Sequence, residues 1–319
     1  MVPKPAASTR FAATVRALVV TNMYPSPARP ALGSFVADQV AALQRTGEAE
    51  VEVFAFPPGG YVPAARALRA RHGRDRFDIV HAHFGLTQWP ALAAPARARV
   101  VTLHGTDLAH PRSRPVTLAG LRLNDLVAVV SEAMVPAIPR WATRRPPAVL
   151  PAGVDLKRFY PIDRAEARRR LGLGPDDPYL LFAADPARPE KRYDRALAIA
   201  GDVPLLALGN VAPEQVPLWI NAASAVLVPS EREGFGLAVL EALACDVPVL
   251  ATPVGIHPEV LAGVPGTYCG PFDAAAWREA LAPALADADP RIEGRARAEL
   301  WSTDRMAVRV VEAWRSLLG

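Results

Sequence analysis

Two glutamates, Glu233 and Glu241, stand eight positions apart around a Gly-Phe-Gly turn, in a segment running from Ser230 to Leu250. The apolar run Ala225 to Val228 before them reads as a buried strand, Leu237 to Ala244 is apolar at helical spacing, and Val247 to Ala251 reads as a second buried strand. Glu233 therefore falls at a strand-to-helix turn and Glu241 in the body of the helix. Gly234 and Gly236 remove side chains where a ligand could approach the backbone, and the free N–H groups at the start of the helix favour an anion. His104, in Thr102-Leu-His104-Gly105-Thr-Asp107, ends another strand candidate. His81-Ala-His83 invites a metal reading, but its residues are expected on opposite strand faces and no third ligand is evident, so no metal is assigned.

The elements that must position these residues alternate between apolar strands and amphipathic helices, the pattern of parallel sheets covered on both faces. Strand candidates in the first half are Arg16 to Val20, Val51 to Phe56, Ile79 to Ala82, Val100 to Leu103, Leu126 to Val130 and Ala148 to Leu150. In the second half they are Tyr179 to Ala183, Pro204 to Ala207, Ala225 to Val228, Val247 to Ala251 and Gly266 to Cys269. Between the halves, Pro151 to Pro161 is rich in turn formers and without periodicity, so the hinge is placed there. The expected fold is α/β: two doubly wound, Rossmann-like domains facing across a cleft at the carboxyl ends of both sheets. The domains are 1–157 and 158–304, with residues 305–319 as a last helix, Arg305 to Leu317, returning to the first domain.

With Glu-Gly-Phe-Gly, the Glu-Ala-Leu-Ala-Cys helix and the Val-Pro-Val-Leu strand present in order, the chain resembles the family 4 retaining glycosyltransferases of GT-B fold. The resemblance implies that Glu233 faces the sugar of a nucleotide-sugar donor and that Glu241 holds the ribose hydroxyls. Gly234, Phe235, Gly236 and Leu237 would adjoin the same donor. It implies further that His104 contacts a sugar hydroxyl through its carbonyl or imidazole. Gly33, before a helix for which Ser34 is a plausible N-cap, would let the backbone approach the diphosphate, although a glycine serving only the turn is the other reading. Arg188 and Lys191, in Asp185-Pro-Ala-Arg188-Pro-Glu-Lys191, would neutralise that diphosphate; many members have Gly-Arg where this chain has Asp185-Pro186. The backbone near Gly209, Asn210 and Val211 would meet the base, which leaves UDP and GDP unseparated. Ala152 stands where the family hinge has asparagine. The stretch from Thr21 to Val40 is similar to members that build bacterial surface polysaccharides of the teichuronic-acid type.

The implied activity is retaining, metal-independent transfer of a hexose-type sugar to a polysaccharide precursor, glycolipid or small glycoside. A noncatalytic nucleotide-sugar binding subunit is the alternative. No cofactor is expected: the Asp-x-Asp string, Asp287-Ala-Asp289, lies in a polar turn between late helices. Residues 1–157 carry 19 Lys/Arg against 10 Asp/Glu, a net +9, and residues 158–319 carry 17 against 22, a net −5. The basic half suits an anionic acceptor or peripheral contact with a membrane, with Arg66, Arg69, Arg71, Arg74, Arg76, Arg140, Arg144 and Arg145 as candidate contacts. Solvated faces of an arginine-rich protein are the equal alternative. No aromatic residues interleave with these arginines, so nucleic acid is not expected as a partner. Met1 to Ala17 lacks the apolar block of a signal peptide and no run is long enough to span a bilayer, so a cytoplasmic protein is expected. Cys245 and Cys269 are read as core or turn residues rather than a disulfide or metal pair.

Overall fold

The structure, a computed structural model, describes residues 14–209 and 211–319. Strands β1 (Val15–Thr21), β2 (Ala49–Ala55), β3 (Phe77–His83), β4 (Ala96–Leu103), β5 (Leu126–Val129) and β6 (Ala148–Val149) form one sheet in the order β2-β1-β3-β4-β5-β6. Strands β7 (Leu180–Phe182), β8 (Leu205–Ala207), β9 (Ala225–Val228), β10 (Val249–Ala251) and β11 (Tyr268–Cys269) form the other, in the order β11-β10-β9-β7-β8. Every pairing is parallel. The central strands, buried on both faces, require apolar runs, whereas the edge strand β2 alternates, with Glu50 exposed and Glu52 half-buried; each expected strand lies at its apolar run. Only β4 begins well ahead of its expected start. There Arg97 and Arg99 alternate with alanines, and their guanidiniums reach Asp78 and the backbone oxygens of Ala91, Ala94 and Leu318.

Strand order reverses between β1 and β3 in the first sheet and between β7 and β9 in the second. Doubly wound sheets open a crevice at such points, beyond the carboxyl ends of their strands. His83 ends β3, the Arg188 to Lys191 loop follows β7, and Glu233 follows β9. Topology therefore directs the candidate residues toward the two crevices.

The chain passes between the domains twice, and the two passes are bonded side by side. Val154 N–H donates to Trp301 O at 2.9 Å and Thr303 N–H donates to Val154 O at 3.0 Å. Gly153 must be glycine, because a Cβ would be driven into the Ser302 and Thr303 backbone. The last helix spans Thr303–Leu318, two residues earlier than expected, since the Ser302 hydroxyl accepts from Arg305 N–H and caps it. Its buried face, Met306, Ala307, Val310, Val311 and Trp314, joins Val36, Val40 and Leu43 of the Ser34–Arg45 helix in one apolar cluster against the first sheet. Arg45 pairs with Asp304 at 2.8 Å on the rim of this contact. The last helix thus belongs structurally to the first domain.

Asp287-Ala-Asp289 is a turn: Asp287 Oδ1 accepts from Asp289 N–H, and the Asp289 carboxylate pairs with Arg291 at 3.0 Å and Arg164 at 3.4 Å. Cys245 and Cys269 are free; burial pushes the Cys245 thiol up to about 12.

Candidate active site

The second-domain wall is built on a short-range cluster that joins distant segments. Lys191 Nζ donates to both Glu233 carboxylate oxygens, at 2.7 and 2.8 Å, and the Ser230 hydroxyl donates to Oε1 at 2.7 Å. The pair is well buried, with Lys191 14% and Glu233 9% exposed. Burial alone would push the Glu233 carboxyl up. The Lys191 charge and hydrogen bonds, the Ser230 hydroxyl and the nearby His257 outweigh it and hold the group below the usual carboxylate value. The Leu237–Ala244 helix starts three residues after Gly234 with no side-chain cap on its N-terminus, leaving its first N–H groups free for an anion.

Glu241 sits one to two turns along this helix in a different environment. Burial pushes its carboxyl up to about 7, with Arg158 opposing and Asp38 reinforcing the rise. Arg158 is committed to Asp38 through two bonds of 3.0 and 2.6 Å, so it neutralises Glu241 only in part. Near neutral pH this carboxyl is present in both forms, able to accept or to donate a hydrogen bond to a hydroxyl.

The first-domain wall is a stack of histidines. His81 and His83 share a face of β3, not opposite faces as expected, because residues two apart in a strand point the same way. Their rings stack at 4.5 Å, and His83 stacks on His104 at 5.3 Å. Burial pushes all three imidazoles down, His83 to about 4, so all are neutral at physiological pH. Their tautomers follow from the atoms that face them, of which the Trp314 indole and the Gln39 amide nitrogen are donors. Trp314 Nε1–H donates to His81 Nδ1 at 3.2 Å, leaving the His81 proton on Nε2 to reach Thr102 Oγ1 at 2.7 Å. The Gln39 amide N–H donates over 3.5 Å to His83 Nε2, so His83 Nδ1–H donates to His104 Nε2 at 3.2 Å. The remaining His104 proton is on Nδ1. The Ser34–Arg45 helix, through Gln39, therefore bears on the orientation of His104, while the return helix fixes His81, on which His83 stacks.

The walls meet through backbone. A Cβ on Gly234 would collide with the His104 carbonyl, one on Gly105 would press on Gly234, and the Ser131 hydroxyl donates to Gly234 O at 2.8 Å. A Cβ on Gly236, whose φ is 112°, would collide with His257 Nε2. Glycine is thus required at 234 and 236 by close approach of the protein itself, rather than by space left for a ligand. The His104 carbonyl faces Gly234, so of the two groups expected to meet a ligand only the imidazole is clear of that turn.

Other candidates are placed differently. Arg188 is half exposed, pairs with Glu190 at 2.7 Å and makes no hydrogen bond to the Lys191 and Glu233 pair. Phe235 is buried against Trp301, ring centroids 5.9 Å apart, so its side chain is core and not a ligand contact. Leu237 opens the helix and packs on the same core. Gly33, not Ser34, occupies the N-cap position, with φ 68°, and a Cβ there would collide with Met23 O; loop closure alone requires glycine. Gly209 lies against Pro186 and Asp185, Val211 follows it in the loop after β8, and Asn210 lies outside the described residues.

Three residues were given no role of their own by the sequence. Asp107 is buried and accepts from the N–H groups of Gly85, His104 and Gly105, fixing the loop that carries His104. Ser131 ties the two walls. His257 donates Nδ1–H to Thr252 O at 2.9 Å, which leaves Nε2 buried without a partner beside the Gly236 turn. It opens the His257–Leu261 helix, six residues beyond the end of β10, and that place after a central strand was the available signal.

Two family models cover most of this architecture: Glycosyltransferase Family 4 over residues 12–158 and Glycosyl transferases group 1 over residues 176–287. A D-inositol 3-phosphate glycosyltransferase of Actinosynnema mirum is 30% identical, the match covering 69% of this chain and 68% of the relative. The chain belongs to glycosyltransferase family 4. This glycosyltransferase is also 29% identical to a D-inositol 3-phosphate glycosyltransferase of Geodermatophilus obscurus, over 80% of its own length and 70% of the relative. Among solved structures it superposes on sucrose-phosphate synthase from Thermosynechococcus elongatus with a TM-score of 0.73 at 22% identity, covering 95% of this chain and 99% of the other. Anabaena Alr3699/HepE in complex with UDP and glucose gives a TM-score of 0.70 at 17% identity, covering 95% and 100%. The fold is GT-B.

Proposed function

We propose that this glycosyltransferase moves a hexose-type sugar from a UDP- or GDP-sugar to a polysaccharide precursor, glycolipid or small glycoside, with retention and without a metal. The observation that carries the reading is the Lys191 and Glu233 pair beside an uncapped helix N-terminus, at the crevice of the second sheet. A diphosphate at that helix would meet free N–H groups and the Lys191 ammonium, while Glu233, kept ionised by Lys191, would accept from sugar hydroxyls. A uridine nucleotide accords with the UDP and glucose held by the Anabaena protein. Glu241 would hold the ribose hydroxyls.

As the bond from the anomeric carbon to the diphosphate oxygen breaks, charge develops on the leaving phosphate, and fixed donors aimed at it lower the barrier. Arg188 would add a second cation by leaving Glu190, at small cost because exposed pairs contribute only about 0–1 kcal/mol. The acceptor oxygen then bonds to the anomeric carbon on the face the nucleotide leaves, and its proton passes to a phosphate oxygen of the departing nucleotide. His104, neutral and with its proton on Nδ1, would orient a sugar hydroxyl as a hydrogen-bond donor. A noncatalytic binding subunit would need the nucleotide contacts but not an ionised, oriented Glu233.

Among the described residues no helix is long and apolar enough to cross a membrane. We place the enzyme in the cytoplasm, with its basic first domain facing the acceptor. The test is sugar transfer in excess EDTA. Persistence of single-turnover transfer is the expected result; its complete loss, restored by manganese or magnesium, would overturn the metal-independent mechanism.

A further inference from the structure

Next to the histidine wall the first domain contains a cavity of about 570 Å³ that the donor chemistry leaves unused. Phe84 and Leu86, in the turn after β3, line it together with Tyr61, Trp89 and Val116. Phe84 is held at φ 83°, a conformation that L residues rarely adopt. Its N–H donates to Thr102 O at 3.0 Å and its carbonyl accepts from Thr87 Oγ1 at 2.7 Å, so the backbone is fixed on both sides. Strain of this kind persists where the surroundings over-determine it, commonly at ligand sites. The cavity is one residue from His83 through Phe84, and one residue from Gly105 through Thr106, another of its lining residues. It is therefore built on the same two loops that carry His83 and His104.

Its chemistry is amphiphilic. None of the lining residues is acidic, and Arg112, exposed, stands at the wall with no carboxylate partner among the described residues. Two of its lining side chains are themselves exposed, Val116 at 47% and Trp89 at 37%, and Val62 and Leu92, near them in the chain, are 63% and 39% exposed. Val62 follows Tyr61 on one helix, and Leu92 lies three residues after Trp89. A hydrocarbon chain longer than the cavity would find apolar contacts beyond it. A wholly polar ligand such as an inositol phosphate would lose water hydrogen bonds against these walls without replacing them.

We propose that the cavity receives the hydrocarbon of a lipid-phosphate acceptor, with its phosphate at Arg112 and the hydroxyl to be glycosylated toward His104. This deepens the glycosyl-transfer reading and rests on it. The probe is geranyl phosphate, kept monomeric, titrated calorimetrically into the full-length chain, with geraniol, inorganic phosphate and D-inositol 3-phosphate as comparators. Geranyl phosphate should bind saturably, and neither of the two polar phosphates should displace it. Val116→Asp should weaken it at least tenfold; the 47% exposure of Val116 keeps this change out of the core. Arg112→Ala should weaken geranyl phosphate and leave geraniol unchanged. Thermal stabilisation by UDP should be equal in both variants and the wild type. A wild type that binds geranyl phosphate but not UDP would sink the donor reading and leave the cavity assignment standing. Displacement by inorganic phosphate, or equal affinity in Val116→Asp, would overturn the proposal. So would a Val116→Asp protein that loses binding to phosphatidylglycerol vesicles yet keeps full affinity for monomeric geranyl phosphate, since the patch would then dock a membrane and not hold an acceptor.

Discussion

Across the cleft, Lys191 and Glu233 form a charged pair 2.7 Å apart, while the facing His81, His83 and His104 form a stack that burial keeps neutral. Both walls are buried to a similar degree, so burial does not explain the difference; partners do. Glu233 has a cation within bonding distance, whereas each histidine has only neutral partners, a side-chain group or another histidine. A charged wall suits a diphosphate that must be held and then released as an anion. A neutral wall with fixed tautomers suits hydroxyl groups, which need direction rather than charge. The apolar cavity beside the histidines carries this contrast further.

The largest expected effect follows on the charged side. Glu233→Gln keeps the shape but removes the charge paired with Lys191, and should lower kcat by about 10²–10³-fold, the usual loss when one oriented electrostatic group is removed. Nucleotide affinity should survive, whereas Glu241→Ala should weaken nucleotide binding itself; equal loss of affinity in both would erase the division of roles. On the neutral side, His104→Ala should cost about tenfold to a hundredfold in kcat/KM, as one or two hydrogen bonds in the transition state are lost. His83→Ala should cost less and act through His104. Nitrogen chemical shifts that place the wild-type His104 proton on Nε2 would refute the relay.

The walls should also respond to pH with opposite signs. The histidines have folded-state values below their unfolded value of 6.5, so the unfolded chain binds more protons as pH falls below about 6.5, and stability drops toward pH 4. Glu241 has its folded value raised from 4.5 to about 7, so the folded state binds more protons in that window and stability is lost as pH rises through it. Glu241→Gln should therefore raise the melting temperature relative to wild type at pH 8 and have little effect at pH 4.5. An equal shift at both pH values would mean that the Glu241 environment is not what raises its value. The smallest effect belongs to Arg188→Ala: with its side chain half exposed and paired only to Glu190, it should change kcat/KM by less than tenfold.

The central strands were legible because parallel sheets buried on both faces demand continuous apolar runs, and the Leu237–Ala244 helix because its apolar residues recur at helical spacing. The start of β4 was not, since arginines that bond to backbone oxygens interrupt the run. The Lys191 and Glu233 pair joins residues 42 apart, a contact that only the β7 and β9 pairing brings about. Likewise nothing local marked Gly234 and Gly236 as sites of close approach, because the atoms that crowd them, the His104 carbonyl and His257 Nε2, come from distant segments. The histidine stack follows from strand geometry and could have been read; the cavity could not, as its lining comes from segments distant in the chain, from Tyr61 to Val116.

The central claim is that the Lys191 and Glu233 wall binds the donor diphosphate. Thermal unfolding with and without UDP, on wild type and Lys191→Met, tests it most directly. At a hundredfold excess over the dissociation constant, UDP should stabilise the wild type by about 2.7 kcal/mol. Most of that gain should vanish in Lys191→Met. An undiminished gain in the variant would contradict the account, because the diphosphate would then be bound elsewhere.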